Sequence, residues 1–193
     1  AIILRVDTSK AEAFPGVLAV LTAEDVPVNE YGLVAKDQPV LCGPNSTKPF
    51  ADHVRFAGDQ VALVVAETEE IAAAACKLIE VEYQDLPVIP DPRVALLPDQ
   101  PLLHPDRGSN VFFHYRIRKG YVESGFASAD VVVEGDYQTP AQEHAFLQPE
   151  AGIGYIDDEG RVTVVVGGQW VHEDREQIAH ALNLPEEQVR GAE

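Results

Sequence analysis

Hydrophobic positions in the first 84 residues alternate between the two-residue period of strands and the 3.6-residue period of helices. Apolar runs predict four strands, at residues 2–6, 17–21, 60–66 and 81–83. Thr68 follows the third run and predicts the start of a helix, because a threonine side chain can cap the first turn. The apolar residues of that helix share one face, at Ile71, Ala74, Ala75, Leu78 and Ile79. The segment therefore predicts a β-α-β unit.

A proline-rich stretch separates this half of the chain from a second set of strand patterns. Residues 86–105 contain six prolines, which predict an extended connector with one edge strand at 94–97, since proline cannot donate to a sheet. Beyond the connector, apolar runs predict strands at residues 110–118, 131–137, 152–156 and 162–166. Helical patterns follow at residues 121–127 and 172–182.

Together these patterns predict a mixed α/β (α+β) fold in two parts. We place the first domain at residues 1–97, a proline-rich connector at 98–110 and a second domain at 111–193. Residues 28–50 show little periodicity and contain several prolines and glycines, which predicts a long loop at a surface or an interface.

The composition excludes several classes of partner. The 193 residues carry 32 acidic and 14 basic side chains, a formal net charge of −18 at pH 7, so nucleic acids and anionic membranes would be repelled. No apolar run approaches the roughly 20 residues that span a bilayer, and the segment 1–7 lacks the pattern of a signal peptide. Cys42 and Cys76 form no disulfide framework and are expected to act as small hydrophobic residues. We therefore expect a cytoplasmic protein.

The sequence contains no self-contained catalytic motif: it has no Walker loop, no GxGxxG, no HExxH and no nucleophile elbow. The strongest candidate is the turn Gly167–Gly168–Gln169–Trp170, between an apolar strand and a helix. Ligands often bind at such turns, where the backbone can approach closely. The glycine pair alone is more often simply a tight turn.

Histidine and glutamate residues offer weaker candidates. His144 and His172 come from two elements, but their spacing matches no known metal site, which favours a structural or exposed role. Glu143 and Glu150 flank the apolar run 145–147, which favours a buried hydrogen-bonding role, with catalytic proton transfer as the alternative. These residues alone leave the function open.

Several segments taken together resemble the xanthine dehydrogenase and aldehyde oxidase family. The first half is similar to the family's a/b hammerhead domain, through the segments FPGV (14–17), LTAEDVP (21–27), VRFAGDQVALVVA (54–66), IEVEY (79–83) and LP (86–87). The second half is similar to the start of the family's molybdopterin-binding region, through EGDYQTP (134–140), QEH (142–144), LQPE (147–150) and GQW (168–170). The resemblance covers essentially all 193 residues in the family's order.

The resemblance implies an a/b hammerhead domain followed by the first strands and helix of a molybdopterin-binding domain. It implies an oxidoreductase that hydroxylates a heterocycle or an aldehyde with oxygen from water and passes electrons to iron–sulfur clusters and FAD. By position, Gln169 would hydrogen-bond an oxo ligand of the molybdenum, and Gly168 would lie beside the cofactor; no side chain would ligate the metal. Expected partners are the remainder of the molybdopterin-binding subunit, iron–sulfur and FAD subunits or domains, and a small-molecule substrate, in an oligomer.

Two departures from the family pattern limit what these residues could do alone. The family's glycine-rich loop and its base glutamate would both lie beyond Glu193, and residues expected before Ala1 are missing. We therefore expect an internal part of a hydroxylase subunit that is inactive by itself. The alternative is a non-catalytic scaffold or binding module that keeps the fold without molybdenum. Neither the residues nor the resemblance identifies the substrate.

Overall fold

The four strands predicted in the first half form two antiparallel ribbons in the computed structural model, which describes residues 1–147 and 150–192. Strand β1 (Ile2–Asp7) pairs with β4 (Glu80–Gln84), and β2 (Val17–Leu21) pairs with β3 (Leu63–Ala66). A short helix, α1 (Ser9–Glu12), connects β1 to β2. The outer strands of the predicted β-α-β unit, β3 and β4, therefore belong to different ribbons.

Helix α2 (Glu69–Cys76) begins where the sequence predicts it. Thr68 Oγ1 accepts a hydrogen bond from Ile71 N at 3.3 Å and so satisfies one of the free N–H groups of the first turn. The helix ends before the apolar stripe does. The N–H groups of Leu78 and Ile79 bond three residues back, so the chain tightens into a 3₁₀-type turn there.

The connector contains a helical turn, α3 (Pro92–Ala95), so the prediction of an edge strand at 94–97 is wrong. Asp91 Oδ1 accepts a hydrogen bond from Arg93 N at 2.8 Å, and Pro92 occupies the first helical position, where its missing N–H has no cost. This local capping outweighs the β preference of Val94.

Two of the four strands predicted beyond the connector are confirmed. Strand β5 (Gly152–Ile156) pairs antiparallel with β6 (Val162–Val166), and helix α5 (Val171–Ala181) follows. A further strand, β7 (Val189–Ala192), pairs parallel with β6 and was not predicted, because four residues that include a glycine give no clear strand pattern. Gly191 of β7 lies against Val171 at the start of α5.

The described residues form two units, one of residues 1–110 with 150–192 and the other of residues 111–147. The second unit contains helix α4 (Val122–Ala127), but the strands predicted at 110–118 and 131–137 are not formed. Among the described residues no neighbouring strand pairs with either segment, and an unpaired strand cannot satisfy its N–H and C=O groups through a sheet. Ile117 and Tyr137 are each 93% exposed.

The mixed α/β class is confirmed, and the domain boundaries expected at residues 97 and 110 stay predictions. Gln148 and Pro149 of the LQPE segment, and Glu193, lie outside the described residues. None of the helices within 1–147 and 150–192 is long and apolar enough to cross a bilayer.

Candidate functional site

The turn Gly167–Trp170 is held firmly at both ends. On the entry side, β6 pairs with β5 on one edge and β7 on the other, so its end has little freedom to move. On the exit side, Trp170 O accepts a hydrogen bond from Asp174 N at 3.0 Å, which begins α5. All four residues of the turn are nevertheless exposed. The turn is therefore an open but well-anchored piece of backbone.

Gly168 and Gln169 give this turn its chemical character. A methyl group at Gly168 would lie 2.8 Å from Asp174 Oδ2, so any larger residue there would displace that carboxylate. The side chain of Gln169 makes no hydrogen bond to any other residue in the described part of the chain and is exposed. Its carboxamide, with two N–H donors and one acceptor oxygen, is available to a ligand.

The turn lines a groove of about 880 Å³, a volume typical of small-molecule sites. Two segments far apart in sequence contribute most of its lining. The loop at residues 28–50 contributes Tyr31, Leu33, Gln38 and Val40, and α5 with its preceding turn contributes Gly168, Gln169, Trp170, Asp174, Gln177, Ile178 and Ala181. The loop predicted at 28–50 is thus confirmed, and it forms part of the candidate site.

Backbone N–H groups of the loop dock onto α5. Val28 N donates to Ala181 O at 3.1 Å, in the last turn of the helix. Gly32 N donates to the side-chain oxygen Oε1 of Gln177 at 3.1 Å, one turn earlier. These two bonds fasten the loop along the side of α5 that lines the groove.

A hydrogen-bonded cluster around Glu30 reinforces this docking. Glu30 Oε1 lies 3.0 Å from His180 Nε2, and Glu30 Oε2 lies 3.2 Å from Lys48 Nζ. Partial burial raises the pKa of Glu30, but the hydrogen bonds from His180 and Lys48 outweigh that effect, so its pKa lies below the usual value. Glu30 is therefore ionised at neutral pH and holds α5 and the loop together.

A fully buried amide fixes the loop internally. Asn29 Nδ2 donates to Leu41 O at 2.7 Å and to Ser46 Oγ at 2.8 Å, while Asn29 Oδ1 accepts from Leu41 N at 3.0 Å. No local pattern in the sequence marks Asn29 or Gln177, because Asn29 bonds to Leu41, 12 residues away, and Gln177 bonds to Gly32, 145 residues away. An asparagine in a loop rich in Pro and Gly is the one available signal.

The donors in the groove fit a cofactor that presents oxygen atoms and needs no protein ligand to its metal. The free carboxamide of Gln169 and the bare backbone of Gly168 provide neutral donors, which suit an oxygen-rich group. The groove lining includes a single carboxylate, Asp174, whose Oδ2 lies beside Gly168. The residues present are therefore compatible with the molybdopterin-type cofactor that the resemblance implies.

The remaining candidate residues lie elsewhere. His172 is exposed in the first turn of α5, and His144 is exposed in the second unit. Glu143 and Glu150 are exposed, so the expectation of a buried role is wrong. Glu143 Oε1 accepts hydrogen bonds from the N–H groups of its next two residues, a local turn that needs no burial. Within residues 1–147 and 150–192, no three His, Cys, Asp or Glu side chains form a metal-binding group.

The two cysteines differ in their surroundings. Cys42 is buried, and burial raises the pKa of its thiol to about 12, with the Asp59 carboxylate adding to the rise. Cys76 is exposed at the end of α2. Cys42 therefore acts as a small hydrophobic residue, whereas Cys76 is open to solvent.

Comparison with known proteins covers both halves of the chain. The family model "Aldehyde oxidase and xanthine dehydrogenase, a/b hammerhead domain" matches residues 1–87, and the model "Molybdopterin cofactor-binding domain" matches residues 103–192. The two matches follow the order that the sequence segments indicate.

Similar proteins include two curated subunits and one solved structure. A probable xanthine dehydrogenase subunit of Bacillus subtilis is 43% identical over 97% of this chain and 24% of its own length. "Nicotinate dehydrogenase large molybdopterin subunit" of Eubacterium barkeri is 38% identical over 97% of this chain and 42% of its own length. The structure of aldehyde oxidoreductase from Desulfovibrio gigas superposes with a TM-score of 0.84 and 29% identity, over 98% of this chain and 21% of that protein. The chain thus spans less than half the length of each of these relatives.

Proposed function

We propose that this chain, which belongs to the xanthine dehydrogenase and aldehyde oxidase family, contributes one wall of a molybdenum hydroxylase active site. It corresponds to part of the family's molybdopterin-binding subunit. The proposed reaction is the hydroxylation of a heterocycle or an aldehyde with oxygen from water. The observation that carries this proposal is the Gly168–Gln169 turn. Its free carboxamide and bare backbone line a groove of small-molecule size.

Gly168 and Gln169 are the residues that would hold the cofactor. When bound, the molybdenum–pterin group supplies the two-electron redox chemistry, which amino-acid side chains cannot provide. With its carboxamide N–H, Gln169 would hold an oxygen of the cofactor as a hydrogen-bond donor. Gly168 has no side chain, so its backbone would be open to close approach by the cofactor. A donor fixed on an anchored turn stabilises developing charge without having to reorganise during the reaction.

The other parts of the chain have supporting roles in this proposal. Residues 1–97 form the hammerhead scaffold, residues 98–110 connect it, and residues 111–193 begin the cofactor-binding domain. The remainder of the molybdopterin-binding subunit completes the groove, so these 193 residues alone are inactive. Electrons pass to iron–sulfur clusters and FAD in partner subunits or domains of an oligomer. We place the complex in the cytoplasm, with a small-molecule substrate and without nucleic-acid or membrane binding, in keeping with the net charge of −18.

Substitution of Gln169 tests the proposal in the longest natural protein that contains this sequence. Gln169→Ala should lower kcat on the order of 100-fold, because it removes one preorganised donor from the site. Gln188→Ala is the matched control, since Gln188 is exposed and lies outside the groove lining. Unchanged kinetics in Gln169→Ala would remove this residue from the site. Absence of molybdenum from the wild-type protein would contradict the hydroxylase assignment itself.

A further inference from the structure

One face of α5 carries both the contact to the turn and the contact to the loop. Asp174, Gln177, Ile178 and Ala181 recur at helical spacing and all line the groove. Asp174 Oδ2 lies against Gly168, at the position where a side chain would begin. Gln177, one turn further along the same face, accepts the hydrogen bond from Gly32 N. The rotation of the helix about its axis therefore decides both contacts together.

The carboxamide of Gln177 is engaged at both ends. Its Oε1 accepts from Gly32 N at 3.1 Å, and its Nε2 donates to Glu173 O at 3.2 Å, one turn back in the same helix. The second bond fixes the orientation of the amide, so that its oxygen points to the loop. Gln177 thus acts as a rigid connection between the helix and the loop.

The donor on the loop side is equally fixed. Gly32 has φ +150°, and a Cβ at this position would lie 1.9 Å from Ala35 O, so glycine is required here. Tyr31 and Gln38 close the loop around it through two backbone hydrogen bonds, of 2.8 and 3.2 Å, and a bond of 2.9 Å from the Tyr31 hydroxyl to Gln38 Oε1. The closed loop therefore holds the N–H of Gly32 in position to donate to Gln177 on α5.

These contacts lead us to propose that Gln177 is a positioning residue, which sets the rotation of α5 and thereby the placement of the Gly168–Gln169 turn. An α-helix with side chains is about 5–6 Å in radius, so a rotation of about 20° would move a side-chain tip by about 2 Å. Such a rotation would carry Asp174 away from Gly168. Val28 and Glu30 contact the last turn of α5. Gln177 therefore provides the loop contact that lies closest in sequence to the Gly168–Gln169 turn.

The catalytic consequence of this positioning rests on the proposed function, whereas the positioning itself does not. If Gln177 acts through Gln169, its loss should matter only while Gln169 is present. A role in general stability would instead lower activity equally in both backgrounds. This difference separates positioning from a merely structural effect.

The experiment is a double-mutant cycle in the longest natural protein that contains this sequence, loaded with its cofactor. Gln177→Met keeps the length of the side chain without the amide, Gln177→Glu keeps an acceptor for Gly32 N, and Gln188→Met is the matched control. We expect Gln177→Met to lower kcat on the order of ten-fold, with little change in KM, because a misplacement of about 1 Å in a catalytic group is costly. In a Gln169→Ala background the same change should lower kcat less than about two-fold. Gln177→Glu keeps the acceptor for Gly32 N but loses the donor to Glu173 O, so it should recover part of the loss and be more active than Gln177→Met.

A second readout does not depend on activity. The amide of Asp174 bonds to Trp170 O and reports on the first turn of α5. Its hydrogen exchange should be about five-fold faster in Gln177→Met and unchanged in Gln188→Met, in line with the loss of one hydrogen bond. Additive losses of kcat, or exchange at Asp174 equal to wild type, would overturn the proposal. If Gln169→Ala alone leaves kcat unchanged, the proposed function fails, and Asp174 exchange then decides the positioning role by itself.

Discussion

Replacing Asn29 with alanine should loosen the loop that carries Gly32 and lines the groove. Asn29 is fully buried and holds two segments of the loop through Leu41 and Ser46. Alanine removes the whole amide and leaves its partners in place. The perturbation therefore tests whether one buried side chain organises the loop wall of the candidate site.

The expected cost follows from the groups that lose a partner. Leu41 is 7% exposed, so its N–H and C=O, bonded to Asn29 at 3.0 and 2.7 Å, would both stay buried without a hydrogen bond. Each such group costs about 1–3 kcal/mol, so the loop should lose about 3 kcal/mol of local stability. Ser46→Ala removes one partner of Asn29 that is only partly buried and should cost about 1 kcal/mol.

Hydrogen exchange measured by mass spectrometry on the natural full-length protein gives the local opening free energy. A loss of about 3 kcal/mol should speed exchange in peptides from residues 28–48 by about 100-fold, and Ser46→Ala should speed it about five-fold. Peptides from β5 and β6 provide the internal reference and should exchange as in wild type. The reasoning is refuted if Asn29→Ala changes residues 28–48 less than three-fold, or if β5 and β6 lose protection to the same extent.

Three further predictions concern other parts of the structure. Gly32→Ala should destabilise the loop by at least about 2 kcal/mol in the same exchange assay, because the new Cβ overlaps Ala35 O and φ is +150°; wild-type exchange would contradict this. Asp157 accepts hydrogen bonds from backbone N–H groups of the β5–β6 turn, chiefly from Arg161 N. These hydrogen bonds lower the pKa of Asp157 from 3.8 to about 2. Since the folded-state pKa is depressed, this stabilisation is complete above the unfolded value and is lost as the pH falls from 3.8 towards 2. Asp157→Asn should remove that part of the acid dependence of the turn, measured by exchange against pH, and an unchanged pH profile would count against it. Finally, iodoacetamide at pH 8 should label Cys76 well before Cys42, whose buried thiol has a pKa of about 12; equal labelling in peptide mapping would show that Cys42 is not protected.

Local signals predicted several elements correctly and missed β7, although its partner β6 lies within this chain. The start of α2 follows from Thr68, and the strands at β5 and β6 follow from continuous apolar runs with a turn between them. The same kind of pattern predicted strands at 110–118 and 131–137, which are not formed among the described residues. Periodicity shows that a segment can form a strand, whereas pairing requires a second strand that no local pattern supplies.

The candidate site could be located from the sequence but not assembled. The turn at Gly168–Gln169 was marked by glycines between a strand and a helix, and by its resemblance to a family segment. Its opposite wall, around Gly32 and Gln38, comes from a loop that has no periodicity. Gln177 joins the two through a hydrogen bond that spans 145 residues, and contacts of that separation leave no trace in the pattern of a single sequence.

The measurement that tests the central claim most directly is the amount of molybdenum per chain in the longest natural protein that contains this sequence. Elemental mass spectrometry should find about one molybdenum per chain in wild-type protein from cells that load the metal into other enzymes. A value near zero under those conditions would contradict the hydroxylase assignment and favour a scaffold that keeps the fold without the cofactor.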